Sequence, residues 1–154
     1  MELQAPSPIR LDDFWAYQVV VLADRVSRHT LEIVRSEANL NQSQWRVLAA
    51  IADQPGRSAA EVTAVTPMDK TIVSRAVASL LKLDLIRRTQ NAADKRTAAL
   101  EMTALGAKRY ALISAKLAGT LNAMAIDGKS TEAFNADVKH FSRYMAELSR
   151  AQKS

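Results

Sequence analysis

Residues 69–82 constrain the fold of this chain most, because their sequence has the two-faced pattern of an amphipathic helix. One face is apolar at three- and four-residue spacing, which is typical of a buried helical stripe. This stripe consists of Val73, Ala76, Val77, Leu80 and Leu81. The opposite face carries cations and hydroxyl groups, namely Lys70, Thr71, Ser74, Arg75 and Lys82. A helix about 10–12 Å across fits the DNA major groove, which is about 12 Å wide, but an ordinary solvated helix surface has the same pattern.

The sequence on the N-terminal side predicts a second helix close to this one. Ser58 and Glu61 have the spacing of a capping box, so a short helix is expected over about 58–65. Two of its residues are expected to face inward, Val62 and Val65. The following helix begins either at Pro67, because proline is favoured at the first helical position, or nearer Lys70. Either start leaves a turn of a few residues, which is the spacing of a helix-turn-helix.

The sequence on the C-terminal side predicts a β-hairpin. Residues 85–90 and 97–103 have the pattern of two short strands. Between them, residues 91–96 form a polar turn that ends in Lys95 and Arg96. A helix-turn-helix followed by a basic hairpin is a winged helix. The predicted fold is therefore mainly α with a small β-hairpin wing, an α+β winged helix that covers residues 40–103.

Long helices are predicted on both sides of this unit, one over 11–36 and two within 104–150. Asp12 and Asp13 suit the positive end of the dipole of the first helix. In the last helix apolar residues repeat with gaps of four and three, a heptad seam of Phe134, Val138, Phe141, Met145 and Leu148. Because the central unit has its own core, we expect these helices to form a dimerisation lobe with a second copy. The alternative is packing against the first helix of the same chain.

The composition indicates a single globular domain and excludes several kinds of site. The chain has 154 residues, of which 48% are apolar and 24% charged, and it has no cysteine. Disulfides, zinc-thiolate sites and thiol redox sensing are therefore excluded, and the two distant histidines give no reason to expect a metal or a cofactor. We find no signal-peptide pattern in residues 1–10 and no apolar run near the ~20 residues that span a bilayer, so we expect a cytoplasmic, non-membrane protein.

The charge distribution favours an anionic partner for the central and C-terminal parts of the chain. The net charge is +5 and the isoelectric point about 9.7. Residues 1–56 hold five basic and seven acidic residues, whereas 57–103 hold eight and five, and 104–154 hold eight and four. The excess of positive charge therefore begins with the expected helix-turn-helix, at about residue 57.

Five short segments follow one another in order between Leu40 and Gly106. They are Gln44-Trp45-Arg46-Val47-Leu48, Asp69-Lys70-Thr71-Ile72-Val73-Ser74-Arg75, Leu85-Ile86-Arg87-Arg88, Asp94-Lys95-Arg96 and Leu105-Gly106. In these segments the chain resembles the DNA-binding core of the MarR family of transcriptional regulators. The family often has glycine where this chain has Asp84. The resemblance implies a homodimeric, sequence-specific regulator of double-stranded DNA, a repressor that a small ligand releases.

The expected DNA contacts follow from helix position and from this resemblance. Candidates for groove and phosphate contacts are Ser58, Lys70, Thr71, Ser74 and Arg75. Arginine is the usual guanine reader, but Arg75 has an alternative role in an ion pair with Asp94. The resemblance implies that Arg96 enters the minor groove, while Lys95 is expected at a phosphate and Asp94 is expected to brace the wing. A two-fold dimer places its recognition helices ~34–36 Å apart, so we expect a pseudo-palindromic site.

The resemblance also implies a small-molecule site, because family members bind ligands, often aromatic acids, between the dimerisation helices and the DNA-binding lobe. Six residues lie on the helices that would line such a pocket: Trp15, Tyr17, Arg25, His29, Trp45 and Arg46. An aromatic wall with an arginine suits a carboxylate ligand. The alternative is that these are ordinary residues of the core.

Other functions find less support in the sequence. An enzyme is not expected, because the chain has no glycine-rich phosphate loop, nucleophile elbow or paired histidines and carboxylates. A nonspecific or architectural DNA-binding protein without a small-molecule switch is the main alternative, since it would share the charge and the dimerisation. A winged helix that binds protein is a third possibility, and the cationic segment 69–96 argues against it.

Overall fold

In the computed structural model of the chain, the described residues are 8–90, 98–121 and 130–152. Along them lie six helices and a two-stranded hairpin, which confirms the predicted winged-helix fold class. The elements are α1 (Trp15–Ala38), α2 (Gln42–Asp53), α3 (Ala59–Val65), α4 (Lys70–Lys82), β1 (Ile86–Gln90), β2 (Ala98–Met102), α5 (Ala104–Leu121) and α6 (Thr131–Ala151). The chain divides into two compact units, Met1–Ser114 and Ala115–Ser154.

The core of the first unit forms where α2, α3 and α4 pack together. The predicted stripe of α4 is buried at Val73, Ala76, Val77 and Leu80 and half-buried at Leu81. From α2 it receives the buried side chains of Val47, Leu48 and Ile51. α3 contributes Val62, but the inward position predicted for Val65 is wrong, since Val65 is 55% exposed. The reason is that Val65 is the last residue of α3, where the chain already leaves the helix.

Side-chain caps determine where the helices of this core begin. Asp69 accepts a hydrogen bond from the N–H of Ile72 at 2.8 Å, so α4 begins at Lys70 rather than at Pro67. α3 begins after Ser58, as its capping box predicts. α2 begins with a second capping box, formed by Asn41 and Gln44.

α1 begins later than the sequence predicts. Its first residue is Trp15, and Asp12 and Asp13 lie in the preceding turn. The N–H of Asp13 donates to the carbonyl of Arg10 at 3.1 Å, which closes a tight turn instead of a helical start. The prediction that the helix starts at residue 11, with both carboxylates at its N-terminal end, is therefore wrong.

The hairpin extends the core of the first unit on one side. β1 and β2 are antiparallel, with Ile86 opposite Met102 and Gln90 opposite Ala98. The backbone of Leu100 also bonds the loop after α2, since it accepts from Gly56 at 3.0 Å and donates to Arg57 at 2.9 Å. The loop thus covers the outer edge of β2. The tip of the predicted wing, with Asp94, Lys95 and Arg96, lies outside the described residues.

A tight junction joins the end of α4 to the start of α5. Asp84 has a φ of 55°, which is the left-handed conformation that glycine adopts most easily. This conformation explains why glycine is often found at this position in the family that the sequence resembles. Its carbonyl accepts from the Thr103 hydroxyl at 2.6 Å. A Cβ on Gly106 would lie 1.9 Å from the carbonyl oxygen of Leu85, so the close approach requires glycine.

α1 and α6 bury little of their surface within the single chain. Of the 24 residues of α1 only Ile33 and Val34 are buried, and of the 21 residues of α6 none is. Large apolar side chains are exposed on both helices, at Trp15, Val19, Val20, Leu22, Val26, Val138, Phe141, Met145 and Leu148. In the described part of the chain, no helix is long and apolar enough to cross a membrane.

Candidate nucleic-acid interface

The exposed side of α4 displays the residues that the sequence predicts for DNA contact. This cationic face consists of Lys70, Thr71, Ser74, Arg75 and Lys82, all of them exposed. The first turn of α4 contains no acidic residue, and the carboxylate of Asp69 just before it is engaged in the helix cap. Positive side chains and the positive end of the helix dipole therefore act together on this surface, which suits a polyanion.

Ser58 lies at the start of α3, where its hydroxyl is engaged inside the capping box. The Ser58 N–H donates to Oε2 of Glu61 at 2.7 Å and the Ser58 hydroxyl donates to the same oxygen at 2.8 Å. These hydrogen bonds, the backbone one first, lower the pKa of Glu61, and the charge of Arg57 lowers it too, while desolvation opposes them. Ser58 is 8% exposed. Its role as a cap is confirmed, and its phosphate contact stays a prediction.

A partly buried hydrogen bond between α2 and α4 is the feature that sequence reasoning missed. Nε2 of Gln44 donates to Oγ of Ser79 at 2.7 Å, and Oε1 of Gln44 accepts from the N–H of Asn41 at 2.7 Å. Gln44 and Ser58 are the buried polar residues of the described chain, both 8% exposed. The Asn-x-x-Gln spacing is the local signal that identifies the cap. No local pattern indicates Ser79, 35 residues further along.

A groove of about 260 Å³ opens beside the cationic face, between α4 and the start of α2. It is lined by Asn41, Ser43, Gln44, Ile72, Arg75, Ala76 and Ser79. Arg75, which is exposed, therefore lines the same groove as the partly buried Gln44–Ser79 hydrogen bond.

The hairpin adds two arginines to the surface of the first unit, but their surroundings differ. Arg87 forms an ion pair of 3.0 Å with Glu101, the residue directly opposite on β2. This pair offsets the charge of Arg87. Arg88 is exposed and, as the next residue of the strand, points to the other face of the hairpin.

The six residues predicted for a ligand lie on two helices, Trp15, Tyr17, Arg25 and His29 on α1 and Trp45 and Arg46 on α2. The ring of Trp45 stacks on Tyr110 of α5, with centroids 5.5 Å apart and planes 18° apart. Arg46 instead lines a second groove of about 300 Å³ together with Asp53, Arg57 and Val65. None of the other five predicted residues lines this groove in the described part of the chain. The ligand site stays a prediction, and Tyr110 is a neighbour that the sequence did not indicate.

Metal coordination finds no support in the described ranges 8–90, 98–121 and 130–152. No group of three or more histidine, cysteine, aspartate or glutamate residues there is arranged to hold a metal ion.

Comparison with known proteins relates the chain to one family. The model of the MarR family matches residues 38–97, which span α2, α3, α4 and β1. No curated protein is significantly similar to the chain in sequence. Among solved structures, a MarR/EmrR family transcriptional regulator from Acinetobacter sp. ADP1 is similar with a TM-score of 0.76 and 18% identity, covering 92% of this chain and 99% of that one.

Two further solved structures are similar in fold and contain bound partners. The transcriptional repressor CouR, bound to a 23-mer DNA duplex, has a TM-score of 0.68 and 20% identity, covering 91% of this chain and 99% of that one. MarR of Staphylococcus aureus, in complex with salicylate and kanamycin, has a TM-score of 0.72 and 18% identity, covering 91% and 93%.

Proposed function

Because residues 38–97 match the MarR family and the chain has the fold of MarR-family transcription regulators, we propose that it is a sequence-specific, double-stranded DNA-binding transcriptional regulator. The observation that carries this proposal is the exposed cationic face of α4, held on a helix-turn-helix by a buried stripe. CouR, of the same fold, is bound to a DNA duplex. A regulator of this kind acts where the chromosome lies, so we place it in the cytoplasm.

On this proposal α4 enters the major groove with its cationic face toward the bases. Arg75 is the candidate guanine reader, since a guanidinium can bond both acceptors of guanine. Lys70 lies at the start of the helix and is placed to meet a phosphate, with the hydroxyls of Thr71 and Ser74 beside it. The hairpin tip would act as the wing, with Arg96 in the minor groove, Lys95 at a phosphate and Asp94 bracing them.

The regulator is proposed to act as a homodimer. Support comes from α6, whose heptad seam is exposed by 53% at Phe141 and 47% at Met145 in the single chain. Contiguous apolar surface of this kind marks an interface, because leaving it in water is unfavourable. α1 separately exposes Val19 and Val20, which supports a role in the same assembly. A two-fold dimer then reads a pseudo-palindrome.

The chain is further proposed to be a repressor that a small aromatic acid releases from DNA. One support is that a protein of the same fold is in complex with salicylate. The other is the stacked aromatic pair of Trp45 and Tyr110, in which Trp45 is followed in the sequence by the cation Arg46. Such a ligand must bind the form of the dimer that does not bind DNA more tightly than the DNA-binding form, typically by ~1–3 kcal/mol.

The proposal is tested by selecting the duplex that the purified chain prefers from a random pool. Its affinity is then compared with that for a scrambled duplex of the same composition, by fluorescence anisotropy at several salt concentrations. We expect a pseudo-palindrome bound on the order of 10³-fold more tightly than the scrambled control. Equal affinities would favour an architectural protein instead. Titration of salicylate into the selected complex tests the switch, since release is expected.

A further inference from the structure

Apolar packing sets which side of α4 faces the core, since Val73, Ala76, Val77 and Leu80 are buried there. α4 packs against α2, and its buried side chains are all of small or medium size. The hydrophobic effect is non-directional and depends on buried area. Burial thus specifies the inner side of α4, and a contact that requires particular angles defines more narrowly where the cationic face points.

The hydrogen bond between Gln44 and Ser79 is such a directional contact, and it restricts the rotation of α4 about its own axis. At 2.7 Å it requires a narrow range of distances and angles, and its donor is 8% exposed. Gln44 cannot follow a rotation of α4, because the other end of its amide accepts from the Asn41 N–H at 2.7 Å. Its backbone N–H in turn donates to the Asn41 side chain at 2.9 Å. Ser79 is thus tied to the first turn of α2.

The Gln44–Ser79 hydrogen bond lies close to Arg75, the candidate guanine reader. Ser79 is four residues after Arg75, so both lie on one side of α4, and both line the groove beside α2. At the side-chain radius of a helix, about 5–6 Å, a rotation of about 15° moves an atom by about 1.5 Å. That movement is enough to break a hydrogen bond to a base edge.

We propose that Gln44 is a positioning residue for sequence recognition, which fixes the rotation of α4 through its hydrogen bond to Ser79 and so aims Arg75. The inference rests on the proposed function and deepens it. It assigns a role in specificity to two residues that need not touch DNA. Nonspecific attraction to phosphates depends on charge rather than on helix rotation, so it is not affected.

The test compares Ser79→Ala with Ser79→Thr in the full-length chain. Ser79→Ala removes the bond between the helices and leaves the cap of α2 intact, whereas Ser79→Thr keeps a hydroxyl. We expect Ser79→Ala to lower the ratio of selected-duplex to scrambled-duplex affinity about tenfold, with the scrambled affinity unchanged, and Ser79→Thr to restore most of the ratio. Ser114→Ala, whose hydroxyl bonds Ala111 of its own helix, is the matched control and should behave as the wild type.

Gln44→Met, with similar volume and no amide, completes a double-mutant cycle with Ser79→Ala. The double variant should lose no more of the affinity ratio than Gln44→Met alone, because each single change already removes the hydrogen bond between Gln44 and Ser79. A wild-type ratio for Ser79→Ala, or an equal loss of both affinities, would overturn the inference. If the wild-type chain itself does not discriminate between duplexes, the proposed function fails, and this inference fails with it.

Discussion

Single residues with side-chain oxygens decide where α2, α3 and α4 begin, and Ser130 does the same for α6. Asn41, Ser58 and Asp69 each accept a hydrogen bond from a backbone N–H three residues further on. Such caps stabilise a helix start because that N–H has no partner inside the helix. At Ser58 the cap is reciprocal, since Glu61 also accepts from the Ser58 backbone.

This reciprocal cap predicts how stability depends on pH. The pKa of Glu61 is lowered on folding, chiefly by the N–H and the hydroxyl of Ser58. Ionised Glu61 therefore stabilises the fold fully above its unfolded pKa, and this contribution is lost as the pH falls through the folded pKa. We expect Glu61→Gln to have a lower free energy of unfolding than the wild type near neutral pH, with a difference that closes in acid.

Urea denaturation across this pH range measures the difference. Glu32→Gln, at an exposed position of α1, is the control for loss of a carboxylate. A difference between Glu61→Gln and the wild type that does not change with pH would contradict the assigned cause.

Lys70 carries a separate prediction, which concerns affinity rather than stability. The proposed function places Lys70 at a phosphate, where binding would release a counterion without reading sequence. We expect Lys70→Ala to weaken binding to selected and scrambled duplexes alike, and to reduce the slope of log affinity against log salt by about one. Lys139→Ala on α6 is the control. An unchanged slope in Lys70→Ala would contradict the proposed contact between Lys70 and a phosphate.

At this scale the sequence predicts contacts between near neighbours and misses distant ones. Ser58 and Glu61 are three residues apart, so helical geometry alone brings them together. Gln44 meets Ser79 only after the chain has passed through α3 and the turn. Neither residue type distinguishes this contact from an ordinary polar surface position, so only the fold reveals it.

At the scale of elements, α4 is joined closely to the helix that follows the hairpin. Thr103 connects them, since its hydroxyl donates to the carbonyl of Asp84 at 2.6 Å and its N–H donates to Leu85 at 3.1 Å. Gly106 lies in the first turn of α5, directly against the Leu85 carbonyl. The end of α4 and the start of α5 therefore have one fixed arrangement within the first unit.

Gly106→Ala tests this arrangement. The new Cβ would lie 1.9 Å from a backbone oxygen, so the helices must separate. We expect the free energy of unfolding to fall by about 1–3 kcal/mol, as for other overpacked sites. Gly119→Ala is the control in the same helix, where a Cβ meets nothing within 4 Å and helix propensity should add up to about 1 kcal/mol. Urea denaturation measures the free energy of unfolding of both variants. An equal change in Gly106→Ala and Gly119→Ala would contradict the close contact assigned to Gly106.

Element types were predictable here, whereas several element ends were not. The period of the apolar residues in 69–82 specifies both the helix and its buried side, because one stripe must face the core. The start of α1 depends on a turn made by backbone hydrogen bonds, which Asp12 and Asp13 do not reveal. The exposure of Val65 follows from where α3 ends, not from its own apolar character.

At the scale of the whole molecule, the apolar seam of α6 remains exposed to solvent in the single chain. Its members are 40–53% exposed at Val138, Phe141, Met145 and Leu148. The sequence predicts this seam by its gaps of four and three, but its periodicity does not say which helix covers it. The homodimer proposal assigns the seam to a second copy.

Phe141→Glu tests that assignment. A carboxylate in the middle of an apolar interface is costly to desolvate, so we expect the dimer to dissociate and the selected duplex to be bound far more weakly. Sedimentation velocity measures the mass, and anisotropy measures the binding. Arg143→Glu places the same group two residues away, toward the other side of the helix, and should remain dimeric. A dimeric Phe141→Glu would contradict the proposed interface.

The central claim is that two symmetric copies of α4 enter successive major grooves of one duplex. Protection of guanine N7 from methylation by dimethyl sulfate on the selected duplex measures this directly, because N7 lies in the major groove. The account predicts two protected segments, related by the pseudo-palindrome and centred about 10 base pairs apart. A single protected segment, or uniform protection along the duplex, would contradict it.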